Sequence, residues 1–207
     1  RASSTMDSVI SVTVPVSGTK IVYDQWEDGY EVDLNNPTQS STQIWGDGNN
    51  ANGIAPGFAN DPVSFSSGAV IAMRNLVSLP RNASTLRYDG RDRVGASSAI
   101  VMSRSAWLTT PGPLLADATE VYATSDWGTN FVMPVGQDVI FPTPASRSMF
   151  EYTGAFVMAE QAGTLVQIDR DGNGSVDITV TLGQGESYFV DGGILSGGTI
   201  VSSKPAQ

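Results

Sequence analysis

The sequence predicts an all-β fold, an antiparallel β-sandwich-type architecture with long loops and little helix. Three observations predict it. Short runs of apolar residues alternate with polar ones along the chain, which is the period of half-buried strands. Turn-forming residues are abundant, with 22 Gly and 11 Pro among the 207 residues. Hydrophobic residues make up 40% of the chain, which is enough to form a substantial core.

Strand patterns follow one another from the first residues to the last. The first two runs, 8–16 and 19–23, are predicted to pair across a turn at Gly18, and Pro15 indicates an edge position or a bulge. Residues 114–121 fit either one or two helical turns or a direct lead into a strand at 121–123. The other predicted strands are 42–45, 66–77, 96–103, 131–135, 139–141, 156–159, 164–168, 176–182, 187–190 and a last one that begins at 200.

We expect a single β-rich domain over residues 1–207, built from two strand-rich halves of about 1–112 and 113–207. The strand pattern runs up to Gln207 with no polar tail. Two interpretations are open. Either the chain is a fragment of, or trimmed from, a longer surface protein, or another molecule completes the final sheet. An unpaired terminal strand would invite strand addition.

The charge and the missing residue types exclude several classes of function. The net charge of −10 argues against nucleic acid as a partner and disfavours anionic membranes. No apolar run reaches the length of a membrane-spanning helix, so we expect no membrane insertion. The chain has no Cys and no His, which removes disulfides, imidazole metal ligands and the Ser-His-Asp and Cys-His catalytic schemes. We therefore expect no enzymatic activity and no catalytic residues.

Residues 169–177 have the spacing of a loop that wraps a hard cation. Acidic or amide side chains occupy positions 1, 3, 5 and 9, and Gly174 is at position 6. The flanking runs 164–168 and 176–182 alternate like strands, so the loop is predicted at the tip of a β-hairpin rather than in an EF-hand. The alternative is a polar hairpin turn without metal. The predicted Ca²⁺ ligands are Asp169, Asp171, Asn173, Ser175 and Asp177.

A second acidic stretch, residues 23–33, combines carboxylates with aromatic residues. It is interpreted either as a second cation site or as a sugar-stacking surface, and the alternative is an aromatic-anchored turn with solvated charges. A glycosidase pair is a further alternative for Glu27, Asp28 and Glu31, but their placement in one turn-rich segment does not position two acids on opposite sides of a cleft. The residues proposed for the second acidic site are Asp24, Glu27, Asp28 and Glu31. The residues proposed for stacking on a glycan are Trp26 and Trp45, with Trp107 and Trp127 as further members of the platform.

Three side chains are candidates for covalent modification. Lys20 lies in a strand-like run, the setting of an isopeptide bond to Asn or Asp in some Cys-free surface domains, although an exposed lysine is the commoner case. Asn82 and Asn173 each begin an Asn-X-Ser sequon. A glycan on Asn173 would conflict with metal binding.

The last third of the chain resembles a known family. The features are residues 163–166 (Gly-Thr-Leu-Val) before the hairpin, residues 180–182 (Val-Thr-Leu) followed by 185–188 (Gly-Glu-Ser-Tyr), and residues 198–205 (Gly-Thr-Ile-Val-Ser-Ser-Lys-Pro). In this order they resemble the IgGFc-binding-protein N-terminal-like extracellular domain of large bacterial surface proteins. Residues 127–132 (Trp-Gly-Thr-Asn-Phe-Val) resemble an upstream motif of that domain. Residues 23–30 and 45–48 resemble a related group of bacterial surface proteins.

The resemblance implies an all-β, secreted, non-catalytic module at the cell surface, used in adhesion or surface assembly. It implies no catalytic residues, and binding to IgG does not follow from it. The expected partners are further copies joined through edge strands into an oligomer, filament or layer, or other cell-surface proteins. The alternative function is a carbohydrate-binding module that uses exposed Trp residues to bind a glycan.

Overall fold

The computed structural model describes residues 5–78, 80–109, 116–136, 153–190 and 193–207. Its regular structure is nearly all strand, arranged in several antiparallel sheets, which confirms the prediction of an all-β, sandwich-type fold. Within these ranges, no helix has the length and hydropathy needed to span a membrane. The predicted strand at 139–141 lies outside the described residues.

Thirteen strands and two short 3₁₀ helices follow one another in the described part of the chain. In order they are β1 (Met6–Val14), β2 (Ile21–Asp24), η1 (Trp26–Asp28), β3 (Gln43–Trp45), β4 (Ala69–Val77), β5 (Arg93–Ala96), β6 (Val101–Leu108), β7 (Ala116–Val121), η2 (Thr124–Asp126), β8 (Gly128–Val132), β9 (Phe156–Met158), β10 (Thr164–Asp169), β11 (Ile178–Leu182), β12 (Ser187–Phe189) and β13 (Thr199–Ala206).

The chain divides into two compact units, Arg1–Val121 and Tyr122–Gln207. The division lies C-terminal to the boundary predicted near residue 112, because β7 pairs with β6 and so belongs to the first unit. The pairing also makes residues 116–121 a strand. The helical alternative for this segment is therefore wrong.

The first unit contains two antiparallel sheets around one core. One sheet has the strand order β4-β1-β6-β7 and the other the order β3-β2-β5. The alternating apolar residues of β1 and the buried residues of β2, β3 and β4 meet in a single cluster, as expected of two packed sheets. The members of this core are Ile10, Val12, Val14, Ile21, Tyr23, Trp45, Ala55, Phe65, Ile71 and Met73.

The predicted pairing of the first two strands is wrong. β1 lies between β4 and β6, whereas β2 lies between β3 and β5 in the other sheet. The connection between them crosses from one sheet to the other, and Gly18 donates its N–H to the carbonyl of Phe65 (2.9 Å) instead of closing a hairpin. β1 ends at Val14, so Pro15 lies just outside the strand and costs the sheet no hydrogen bond.

The segment after β3 is fixed by one buried carboxylate. Asp61 accepts the backbone N–H groups of Gly46 (3.0 Å), Asp47 (3.0 Å) and Gly48 (2.9 Å). Gly46 has a φ of +86°, and a Cβ there would lie 2.7 Å from the ring of Phe65, so the position requires glycine. The run from 45 to 48 is therefore a structural turn of the first unit.

The second unit has a four-stranded sheet of order β11-β10-β13-β8 and a two-stranded sheet, β12-β9. The last strand, β13, lies between β10 and β8, so the interpretation in which another molecule completes the sheet at this strand is wrong. Gln207 is also paired, through two backbone hydrogen bonds with Met158 (2.8 and 3.0 Å). The core of this unit comprises Ala155, Val157, Ala159, Val166, Ile168, Leu182, Val190, Ile194, Ile200 and Ala206.

Candidate metal centre

The predicted hairpin forms, and its pairing brings the two ends of the acidic loop together. β10 and β11 are antiparallel, with Ile168 opposite Ile178. β11 begins at Ile178, two residues later than predicted, because Val176 and Asp177 belong to the loop. Asp169 is the last residue of β10, and the N–H of Asp177 donates to the carbonyl of Ile168 (2.8 Å). The first and last predicted ligands are thus side by side.

Three carboxylates converge at the hairpin tip. One oxygen each from Asp169, Asp171 and Asp177 lies within 4.8 Å of the other two. Two oxygens bound to one Ca²⁺ at about 2.4 Å can be no more than about 4.8 Å apart, so the three are close enough to share an ion. In the described ranges of the chain this is the one group of three or more acidic side chains with that spacing.

Asp169 is the buried member and is held by backbone donors. Its carboxylate accepts the N–H groups of Gly172 (2.8 Å), Asn173 (3.2 Å) and Gly174 (2.7 Å). Burial raises the pKa of Asp169, but the hydrogen bonds from Gly174 and Gly172 outweigh it and leave the pKa below its ordinary value. The ionised carboxylate that a cation needs is therefore the favoured form. Two oxygens offer about four acceptor positions, so three N–H donors leave room for an ion.

The two non-acidic predicted ligands take part in the loop in other ways. Asn173 donates its amide N–H to Asp171 (2.9 Å), and its amide oxygen accepts the N–H of Ser175 (2.8 Å). This oxygen keeps a second lone pair for a cation. Ser175 is exposed on the loop surface. The structure thus groups the three carboxylates directly and places the amide next to them.

The loop packs against a second segment that sequence reasoning missed. The N–H of Leu195 donates to the carbonyl of Arg170 (2.8 Å). A Cβ on Gly198 would lie 3.0 Å from the carbonyl oxygen of Asp169, and one on Gly172 would lie 2.9 Å from that of Gly197. These close approaches explain the glycines at 172 and 198, whereas Gly197 is favoured by its φ of +88°. The sequence indicates 197 and 198 only as turn residues. Residues 194–198 therefore brace the loop from outside the hairpin.

The structure does not bring the second acidic set together. Asp24, Glu27, Asp28 and Glu31 each have protein donors of their own, and the described residues contain no second cluster with metal-binding spacing. The donors are the N–H of Glu31 for Asp24 (3.0 Å), the guanidinium of Arg81 for Glu27, the hydroxyl of Ser41 for Asp28 (2.5 Å), and the N–H groups of Thr38 (2.7 Å) and Gln39 (2.5 Å) for Glu31.

The two tryptophans proposed for glycan stacking have different surroundings. Trp45 is fully buried, stacked on Tyr23 at 5.3 Å with Tyr88 against its edge. The prediction that it stacks on a ligand is therefore wrong, because its ring belongs to the core. Trp26 is half-buried and has the guanidinium of Arg91 4.3 Å from its ring centroid. The guanidinium of Arg91 therefore already occupies a face of the Trp26 ring.

The predicted modification sites lie at the surface. Lys20 is exposed, as in the commoner of the two interpretations, and its backbone N–H donates to Ser97 (2.9 Å). Asn82 is exposed and accepts two hydrogen bonds from Ser84. Asn173 is bound into the acidic loop, as described above.

Comparisons of the chain with protein-family models, with curated proteins and with solved structures find no match. The resemblance to the extracellular domain of bacterial surface proteins is therefore carried by the sequence motifs alone.

Proposed function

We propose that this protein is a non-catalytic structural or adhesive module that acts outside the cell and is stabilised by Ca²⁺ bound at residues 169–177. The observation that carries the proposal is the meeting of three carboxylates at one hairpin tip. Asp169, Asp171 and Asp177 supply the charged ligands, and the side-chain oxygens of Asn173 and Ser175 add neutral ones. The resemblance to bacterial surface domains supports the same function.

The charge of the loop explains why an ion would stabilise it. Three carboxylates this close repel one another, and a divalent cation turns the repulsion into attraction. The ion would hold together the loop that joins β10 to β11 and against which residues 194–198 pack. The protein has no cysteine and therefore no disulfide, so a bound metal ion is one of the remaining ways to cross-link and stabilise the fold. Two of the three carboxylates are exposed, which fits a weak site of the extracellular kind, with a dissociation constant on the order of 10⁻⁴ to 10⁻³ M.

The partners of such a module are further copies of itself, joined through edge strands, or other surface proteins. β11 supports the first alternative. It is an edge strand of its sheet, and its five residues contain no charged side chain that would block strand addition. The absence of histidine and the engagement of the 24–31 carboxylates by protein donors favour a role without catalysis.

Calcium binding is tested by thermal unfolding with and without the ion. At a free Ca²⁺ concentration ten times the dissociation constant, binding adds about 1.4 kcal/mol to the free energy of unfolding. For a chain of this size the melting temperature then rises by a few degrees, and a chelator reverses the rise. Asp171→Asn removes one charged ligand with little change in shape, and we expect it to abolish most of the response.

The matched control is Asp126→Asn, which makes the same charge change at an exposed position of the second unit outside the loop. It should respond to Ca²⁺ as the wild type does. An unchanged melting temperature for the wild type in millimolar Ca²⁺ would refute the metal site. An equal response of Asp171→Asn and the wild type would place the ion elsewhere.

A further inference from the structure

The sequon at residues 82–84, which the proposed function does not use, forms a turn on the surface of the first unit. The N–H of Thr85 donates to the carbonyl of Asn82 (3.3 Å), and residues 82–84 are all exposed. The guanidinium of Arg81 donates to the carbonyls of Asn82 and Thr85. The turn is therefore presented to solvent with its backbone held from below.

Buried acids anchor this turn to the rest of the first unit. Arg81 forms ion pairs with Glu27 and Asp89, and the side chains of both acids are buried. Charge-assisted hydrogen bonds of this kind are the strong ones, so the guanidinium between the two acids has little freedom. An enzyme that modifies Asn82 therefore meets the turn in a defined conformation.

The side-chain amide of Asn82 has its oxygen engaged and its nitrogen free. The oxygen accepts the backbone N–H of Ser84 (3.0 Å) and the hydroxyl of Ser84 (2.8 Å), whereas no described residue accepts a hydrogen bond from Nδ2. An amide nitrogen is a poor nucleophile because its lone pair is shared with the oxygen. Donors at the oxygen stabilise the negative charge that develops there when Nδ2 gives up a proton. This arrangement therefore favours attack by Nδ2 of Asn82.

The second sequon, which begins at Asn173, is equally exposed but lacks this arrangement. Its Nδ2 donates to the carboxylate of Asp171 (2.9 Å). Its amide oxygen accepts the backbone N–H of Ser175 (2.8 Å), and the hydroxyl of Ser175 makes no hydrogen bond to it. A hydrogen bond to a carboxylate is roughly twice as strong as a neutral one, so the nitrogen must first leave Asp171 before it can react.

A cavity of about 150 Å³ adjoins Asn82. It is lined by the polar residues Thr5, Ser78 and Thr85 and by Leu76, which is 59% exposed. A sugar ring presents both hydroxyl groups and apolar C–H surface, so this mixed and accessible lining is suited to it. A sugar attached at Asn82 would remove apolar surface of Leu76 from water, which is favourable.

We propose that Asn82 is an N-glycosylation site, that Asn173 is not, and that the first sugar of the glycan lies against Leu76. The donor is a sugar activated as a lipid-linked diphosphate. Nδ2 of Asn82 forms a bond to C1 of the sugar and loses one proton, while the bond from C1 to the diphosphate oxygen breaks and the diphosphate leaves with the electron pair. Glycosylation rests on the proposed function in one respect, because glycans of this kind are added to exported proteins.

Glycosylation is tested on the folded full chain, produced in a bacterial cytoplasm that lacks the transferring enzyme. The chain is incubated with an oligosaccharyltransferase that requires only Asn-X-Ser/Thr and with its lipid-linked oligosaccharide, both in millimolar Ca²⁺ and in chelator. Peptide mass spectrometry measures the modification of Asn82 and Asn173. We expect transfer to Asn82 to be at least about tenfold faster under both conditions, because the nitrogen of Asn173 must break a charge-assisted hydrogen bond.

Substitutions at the two sequons provide matched controls. Asn82→Gln should abolish glycosylation, and Asn173→Gln should leave it unchanged. Ser84→Ala removes the hydroxyl that donates to the amide oxygen and should slow transfer at least about fivefold, whereas Ser84→Thr keeps a hydroxyl and should keep the rate.

The position of the first sugar is measured by methyl NMR of the glycosylated chain. The methyl signals of Leu76 should shift on glycosylation, and those of Val70, an exposed residue near the other end of β4, should not. Unshifted Leu76 signals would overturn the placement of the sugar.

Absence of transfer to Asn82 by an enzyme that modifies a free Asn-X-Ser peptide would overturn the acceptor site. Equal or faster transfer to Asn173 would overturn the distinction between the two sequons. A failure of the proposed function is seen separately, in the melting temperature of the unmodified chain with and without Ca²⁺, so the two failures can be distinguished.

Discussion

At the scale of single residues, Asp92 is the most perturbed carboxyl group of the first unit. It accepts the hydroxyl of Tyr23 (2.6 Å) and the N–H of Asp89 (3.1 Å). Burial, together with the negative charges of Asp89 and Glu27, raises the pKa of Asp92 to about 8 despite the lowering effect of those two hydrogen bonds. The neutral carboxyl therefore prevails in the folded protein at neutral pH.

This shift predicts a pH dependence of stability. In the unfolded chain Asp92 ionises near the ordinary aspartate pKa of about 3.9. Between pH 4 and pH 8 the folded state holds a proton that the unfolded state has lost, so the contribution of Asp92 to the free energy of unfolding falls by up to about 1.4 kcal/mol per pH unit as pH rises. Asp92→Asn mimics the neutral form at every pH and should remove this slope, as measured by urea unfolding at pH 5 and pH 8.

The control is again Asp126→Asn, whose pH dependence should run parallel to that of the wild type. The difference between the Asp92→Asn variant and the wild type isolates one group, because all other carboxyl groups titrate in both proteins. If the two proteins lose stability equally from pH 5 to pH 8, the carboxyl of Asp92 is already ionised in the folded state and the argument from burial fails.

At the scale of secondary-structure elements, the position of a strand within its sheet decides what it can bind. β13 is enclosed by β10 and β8, so it cannot add a strand. β11 is at the edge of the same sheet, and Thr179 and Thr181 are exposed on it. Because natural proteins protect such edges with charged residues, an uncharged one is suited to pairing with another chain.

If β11 mediates assembly, lysines on this edge should prevent it. We expect the wild type to form larger particles as concentration rises, and the double variant Thr179→Lys, Thr181→Lys to stay monomeric because the two charges repel an incoming strand. Sedimentation velocity over a concentration series measures the difference. Gln167→Lys is the matched control, since it adds a lysine at an exposed position of β10, which is inside the sheet. A wild type that remains monomeric throughout would exclude self-assembly, and a double variant that assembles normally would exclude β11.

At the scale of the whole molecule, the chain consists of two units with separate cores, and the acidic loop belongs to one of them. The loop and its bracing segment lie in the unit Tyr122–Gln207. Each unit has its own sheets, and each sheet is completed by strands of the same unit. The effect of Ca²⁺ should therefore be strongest in the second unit.

Hydrogen exchange can locate the effect of Ca²⁺. Local opening that releases the ion is suppressed by binding, so at a free Ca²⁺ concentration ten times the dissociation constant the exchange of the hairpin amides should slow about tenfold. The protected peptides should cover β10, β11 and residues 194–198. Mass spectrometry measures this, with Asp171→Asn as the variant that should not respond. Equal slowing in β1 to β7 would contradict binding at the loop.

The sequence by itself determined the features that depend on neighbours in the chain. Alternation of apolar residues predicted the all-β class and most strands, since that pattern reports which face of a strand is buried. The acidic loop was also predictable, because its three carboxylates lie within nine residues and the adjacent strands could pair only as a hairpin.

Only the tertiary structure decided which distant strands pair and what their side chains then meet. Periodicity is the same for an edge strand and an interior strand, so it could not place β13 between β10 and β8 or β1 between β4 and β6. It could not distinguish Trp45, which is buried, from an exposed platform residue. A cavity in the first unit is lined by Ser8, Arg91 and Arg104, which come from separate stretches of the chain. Contacts of this kind follow from long-range pairing, which local sequence patterns do not encode.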